Sequence, residues 1–202
     1  MSLEFPHGFL DFLRRRDRRG HRVGDYELEP AGLACFNRAL QALSPGAPAI
    51  TMDQVAGAAA RALARHRDGD VPPFVASRMA ALERLETMAA DADWGASEDL
   101  RHKVHVLRRY RKDTGDLIHD AMPVVGLLDD AVLVDVALQL LRGELAEYED
   151  FCRFRGMAAE FAGLPEGSSG FTRAHWLGAI LRERARIGGT DADARASLFH
   201  VL

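Results

Sequence analysis

The sequence predicts an all-α fold: a compact helical domain of about seven or eight helices with no sheet. Three observations carry that expectation. Apolar residues recur at spacings of three and four along most of the chain, no stretch sustains the period-two alternation of a half-buried strand, and clusters of Pro and Gly cut the periodic stretches into helix-sized pieces. At 202 residues there is enough chain for one sizeable core with helices packed around it.

The elements follow in order. Phe5, Phe9, Phe12 and Leu13 share one side of a first helix that ends in Arg14, Arg15, Arg16, Arg18 and Arg19. Cations there suit the negative end of the helix dipole, so a helix docked on the body explains the pattern. The same stripe through Phe5, Phe9, Phe12, Arg14, Arg15 and Arg16 also fits peripheral contact with an anionic membrane. A loop rich in charge and glycine runs from Gly20 to Glu29. Pro30 then opens a helix to about Leu43, with Leu33, Phe36, Leu40 and Leu43 on one face.

Ser44 to Ala49 breaks that helix. Thr51 with Gln54 three residues later forms a capping box for the next, which continues through Val55, Ala59, Ala62 and Leu63 to Arg65, His66 and Arg67. Asp68 to Pro73 (DGDVPP) is the second punctuation point. Its acids lack the twelve-residue spacing of a calcium loop, so it reads as a solvated turn and a boundary. Phe74, Met79, Leu82, Leu85 and Met88 mark a further helix that ends near Trp94 and Gly95. Ser97 is an N-cap for the one carrying Leu100, Val104, Leu107 and Tyr110. On that helix His102 and His105 are neighbours able to share a metal, but with no third ligand or HExxH pattern nearby they read as surface histidines.

The most specific stretch is Asp116 to Asp130, DLIHDAMPVVGLLDD. Asp116 stands as N-cap of a short turn from Leu117 to Met122, Pro123 ends or kinks it, and Gly126 permits a tight turn or a close backbone approach. Asp129 and Asp130 stand at the start of a long helix in which Val132, Leu133, Val136, Leu140 and Leu141 repeat, continuing toward Phe154. A turn that folds the two acidic ends together would gather Asp116, His119, Asp120, Asp129 and Asp130 around a divalent ion such as magnesium, manganese or zinc, or a small ligand. Capping and ion pairing with the arginines between Arg101 and Arg111 account for the same acids without a ligand. Adjacent Asp129 and Asp130 also diverge by about 100° on a helix, which sets them against sharing one ion. The expectation is therefore no cofactor and no catalytic residue, with a metal at these five residues as the alternative.

The order D-L-I-x-D-x-x-P-V-x-G-x-L-D-D, carried by Asp116, Leu117, Ile118, Asp120, Pro123, Val124, Gly126, Leu128, Asp129 and Asp130, resembles the YkvA-like family, a domain of unknown function. The family hallmark reads approximately P-I-D-L-I-P-D-F-I-P-V-L-G-Y-L-D-D. With flanking helices the resemblance spans about Phe74 to Arg155 and implies a helical core but no activity. Gly115 and His119 stand where the family has prolines. Some relatives sit in or against membranes, an implication weakened here by Arg108, Arg109, Arg111 and Lys112. The resulting domain expectation is a helical extension over residues 1–70, a YkvA-like core over 71–156, and C-terminal helices over 157–202 in the same body.

Past Tyr148, Phe151 and Phe154 the chain breaks at Pro165 to Gly170 (PEGSSG), whose serines have no GxSxG pattern. A helix from Phe171 or Thr172 carries Trp176, Leu177, Ile180 and Leu181 and is expected to end at Gly188 and Gly189. Thr190 starts a last helix. Leu198, Phe199, Val201 and Leu202 make the terminus apolar, which predicts burial against the body, a protein partner or a second copy.

Composition limits the functions. The 26 basic and 30 acidic residues give a formal net charge of −4, with no global pull toward nucleic acid. Cys35 and Cys152 are far apart and outside any metal-binding spacing, so reduced thiols and a cytoplasmic setting are expected. The N-terminus lacks a secretory h-region, and Asp129, Asp130 and Asp135 interrupt the longest apolar run, so no membrane span is expected. The function this favours is a non-catalytic helical interaction module, beside a membrane-associated assembly if the resemblance holds. The alternative is a metal-dependent sensor or hydrolase.

Overall fold

The computed structural model describes residues 21–23, 26–65, 71–112, 115, 117–120, 122–165 and 170–198, the side chains of 187–198 excepted. The expected first helix, the basic end His66 and Arg67, the acids of the DGDVPP turn, Asp116, the serines of PEGSSG, and Phe199, Val201 and Leu202 lie outside the described residues. The rest is mostly helical, as expected. Seven helices are described: α1 Pro30–Leu43, α2 Met52–Arg65, α3 Pro73–Ala90, α4 Glu98–Lys112, α5 Leu128–Leu140, α6 Arg142–Ala162 and α7 Arg173–Leu198. One small departure precedes them. Strands β1 Arg22–Val23 and β2 Tyr26–Glu27 pair antiparallel, each too short to leave an alternation in the sequence.

Chain contacts divide the molecule into a first unit within Met1–Ala89 and Ser97–Arg142, and a second within Ala90–Ala96 and Gly143–Leu202. In the first, α1, α4 and α5 pack on one another and β1 packs on α2. Helix starts follow local chemistry. Pro30 opens α1. The Gln54 side chain accepts the Thr51 backbone N–H at 2.8 Å, the reciprocal half of a capping box. Ser97 Oγ accepts the Leu100 N–H at 3.0 Å, a working N-cap for α4.

Helix α5 is the centre of the first unit. Every residue from Leu128 to Ala137 is buried. A helix that buries all its faces needs apolar residues all round, which Ala131, Val132, Leu133, Val134, Val136 and Ala137 supply. The three acids within it then need partners, because an uncompensated charge in such a place is costly.

Two helix ends differ from expectation. The helix after Asp130 does not continue to Phe154: Leu141 leaves helical geometry at φ −96°, ψ 7°, and α6 starts afresh at Arg142. Gly143, a poor helix former, follows at once. Conversely, Gly188 and Gly189 do not end α7. A helix-interior glycine costs about 1 kcal/mol relative to alanine, and the strong helix formers on both sides, Ala185, Arg186, Ala192 and Ala194, offset that cost.

Candidate functional site

The corner between α4 and α5 holds the residues that stand out in the sequence. It is built by a relay of short backbone bonds: Met122 N–H to the His119 carbonyl at 2.8 Å, Gly126 N–H to Met122 at 3.0 Å, and Leu128 N–H to Val125 at 2.9 Å. Gly126 is required by contact. A Cβ built there would stand 2.2 Å from the backbone carbonyl oxygen of Asp120, closer than any side chain tolerates. Beside it, Val125 N–H reaches back to the Pro123 carbonyl at 2.8 Å, a three-residue turn with Val124 at its centre and φ at +71°. That is the strained hand of the γ-turn, and a β-branched residue seldom adopts it.

Asp129 holds this corner in place. Its Oδ2 accepts the Tyr110 hydroxyl at 2.6 Å and the Ile118 backbone N–H at 3.2 Å, while the Tyr110 oxygen accepts the Leu117 N–H at 3.3 Å. Burial and the negative charge of Asp129 push the Tyr110 hydroxyl well above its ordinary range, so it stays protonated and donates. The expectation that Asp129 or Asp130 caps the helix needs correcting. Leu127 occupies the cap position without a side-chain bond, and both acids lie buried inside the first turn. The corner curls back over that turn, so its amide at Ile118 takes up Asp129.

Around this lock the other expected residues are placed differently. His119 and Asp120 are exposed, whereas Asp129 and Asp130 are buried. Asp116 lies outside the described residues. Among the described residues no three His, Cys, Asp or Glu side chains are grouped as a metal-ligand set. His102 and His105 are both exposed on α4.

A second buried acid, Asp135, has a partner the sequence does not announce. Arg78 Nε donates to its Oδ1 at 2.8 Å with a second guanidinium nitrogen at 2.7 Å, and Gln139 donates to Oδ2 at 2.9 Å. Arg78 is itself buried, with its guanidinium 4.8 Å from the centre of the Phe74 ring.

The second unit carries its own polar centre. Asp91 Oδ2 accepts Arg155 at 2.8 Å and the Tyr148 hydroxyl at 3.0 Å, and its Oδ1 accepts the Asp93 and Trp94 backbone N–H groups at 3.0 and 3.2 Å. Burial alone would raise the Asp91 carboxyl, but these donors outweigh it and hold it below the ordinary range. Trp94 is fully buried among Tyr148, Phe151 and Trp176, with Arg173 stacked 4.0 Å above its ring centre and Trp176 Nε1 donating to Asp150 at 2.9 Å.

Away from this centre the second unit exposes large apolar side chains. On α6 and just beyond it stand Met157, 60% exposed, Phe161, 97% exposed, and Leu164; on α7 stand Leu177 and Leu181. Phe154, Ala179 and Ile180 floor an open groove of about 480 Å³ edged by Arg182, Glu183, Arg184 and Arg186.

Comparison of the chain with protein-family models, with curated proteins and with solved structures finds no match. Among the described residues no helix is long and apolar enough to cross a membrane.

Nothing in the sequence marks Arg78, Asp91 or Arg155. Each is one charge in a charged helix or turn, and its partner lies dozens of residues away. For Asp135 a signal was present: a charge inside an otherwise apolar helix demands a buried partner. The Met157, Phe161 and Leu164 spacing was likewise available as a stripe on a helix end.

Proposed function

We propose that this protein is a non-catalytic helical interaction module of the cytoplasm, and that it binds a protein partner through the exposed apolar face of its second unit. The observation that carries the reading is Phe161, 97% exposed, one turn from the exposed Met157 on the same side of α6, with Leu164 exposed just past the end of that helix. Single exposed apolar residues are ordinary, but large ones grouped on one helical side mark a contact surface. The acids of the corner support the same reading, since Asp129 is engaged by Tyr110 and Ile118.

Assignment to the YkvA-like family belongs to this proposal. It rests on the order of Asp120, Pro123, Gly126, Asp129 and Asp130, two of which have local structural work: Gly126 makes room for the Asp120 carbonyl, and Asp129 holds the corner.

The test compares the full chain with Phe161→Asp. The surface change is expected to alter stability by less than about 0.5 kcal/mol in urea unfolding, and to abolish retention of the protein partner from host extract by the immobilised chain. Equal retention by both forms, or retention by neither, counts against the reading.

A further inference from the structure

Helix α4 presents a single sign of charge to water. Leu100, Val104, Leu107 and Tyr110 turn one side of it into the core, while Arg101, His102, His105, Arg108, Arg109 and Lys112 are exposed. At about 100° per residue those six fall within one arc of about 120°. Between Arg101 and Lys112 no acid and no apolar residue enters the arc. A solvated helix face ordinarily mixes signs, because like charges three or four positions apart repel, as Arg108 and Arg109 each do with Lys112. The helix dipole favours cations in the last turn, which accounts for Arg109 and Lys112. It works against Arg101, which stands in the first turn.

Among the described residues one acid reaches this arc, Glu86, 3.4 Å from Arg108 at the surface. Lys103, buried on the other side of α4, has Asp99 as its partner. Chemistry then selects what the face can meet. An interfacial membrane helix needs an apolar face to bury, and here that face is already in the core. Protein interfaces place aromatic side chains at their centre and few charges, the reverse of this arc. A single nucleic-acid strand is held by stacking on aromatic rings, and Tyr110 is buried. The surface that fits is uniformly anionic. Duplex DNA carries about one phosphate charge per 1.7 Å of axis, so the length from Arg101 to Lys112, about 16 Å at 1.5 Å per residue, lies beside about ten of them. Arginine forks suit phosphate oxygens.

We infer that the exposed face of α4 docks duplex DNA by its phosphate backbone, through Arg101, Arg108, Arg109 and Lys112, without reading sequence. The net charge of −4 gives the whole chain no such attraction, so the attraction is local to this face. The face belongs to the first unit and is independent of the apolar surface of the second.

Fluorescence anisotropy of a short labelled DNA duplex of arbitrary sequence, titrated with the full chain, tests this. Binding is expected at about 50 mM salt and should weaken about 100-fold by about 200 mM, the dependence for four neutralised phosphates. Arg101→Gln with Arg109→Gln should lower the salt slope by about 2. Reversal of the same two charges, Arg101→Glu with Arg109→Glu, should weaken binding at least about tenfold at the lower salt. Both residues are exposed, so circular dichroism should be unchanged in either variant. Reversal of two exposed cations of the second unit, Arg182→Glu with Arg184→Glu, should leave the affinity within about threefold of wild type. Absence of binding at about 50 mM salt overturns the inference, as does binding that ignores the changes at Arg101 and Arg109 or falls equally with those at Arg182 and Arg184. Tighter binding to one strand of the same sequence, or preference for vesicles of phosphatidylcholine and phosphatidylserine over the duplex, also overturns it.

Discussion

The two units treat charge in opposite ways. In the first, Asp129 and Asp135 lie inside a helix buried on every face, and each is engaged by donors from a distant part of the chain: Tyr110 and Ile118 for one, Arg78 for the other. In the second, one inner network around Asp91 gives way to a helix on which Leu177, Leu181, Arg182, Arg184 and Arg186 face water. Asp129, which draws the eye in the sequence, thus holds the scaffold together, while the surface proposed for binding lies in a stretch of ordinary composition. Prominent residues in a chain are as readily fixtures of the fold as instruments of function.

The sharpest way to break this contrast is to remove one partner of a buried pair. Arg78→Ala leaves the buried Asp135 carboxylate with no counter-charge, only the Gln139 amide, and should cost about 4 kcal/mol, read as a large fall in the urea midpoint. A small change there would show that water reaches the pair. Next, Gly126→Ala drives a Cβ into the Asp120 carbonyl; overpacking against backbone should cost about 3 kcal/mol, and a neutral result would mean that the corner relaxes freely. Asp129→Asn keeps the shape but removes the charge that Tyr110 and Ile118 address, with an expected loss of about 2 kcal/mol.

The gentlest perturbation is acid. The Asp91 carboxyl titrates below its unfolded value near 3.9, so its contribution is complete above that pH and fades as pH falls through the lower folded value. Acidification below about pH 4 should therefore loosen the contacts of Tyr148 and Arg155, and Asp91→Asn should flatten that part of the stability profile. An unchanged profile in the variant would detach Asp91 from the acid response.

Much of the fold was legible because its signals are local. Pro30 announces a helix start through its fixed φ, the Thr51–Gln54 pair and Ser97 through bonds made across three residues, and the structure keeps each of those starts. The boundary at Leu141 was not legible, since apolar periodicity runs straight across it. Gly188 and Gly189 misled in the other direction, because a glycine lowers helical propensity without forbidding a helix. At the corner, the need for Gly126 was visible in its place after Pro123. The use of Asp129 was not, because its partners arrive from a preceding helix and from the corner folding back. Pairings such as Arg78 with Asp135, 57 residues apart, belong to the packing of helices and leave no spacing to read.

Both tryptophans of the chain, Trp94 and Trp176, belong to the second unit, with ring centres 5.8 Å apart. The molecule thereby carries a natural optical label on one of its halves. Indole emission follows the aromatic cluster around Trp94 and is blind to the α5 centre, whereas far-ultraviolet ellipticity sums over all the helices. Melting the chain under both signals asks whether the halves come apart together or in turn, with no dye attached and no residue changed.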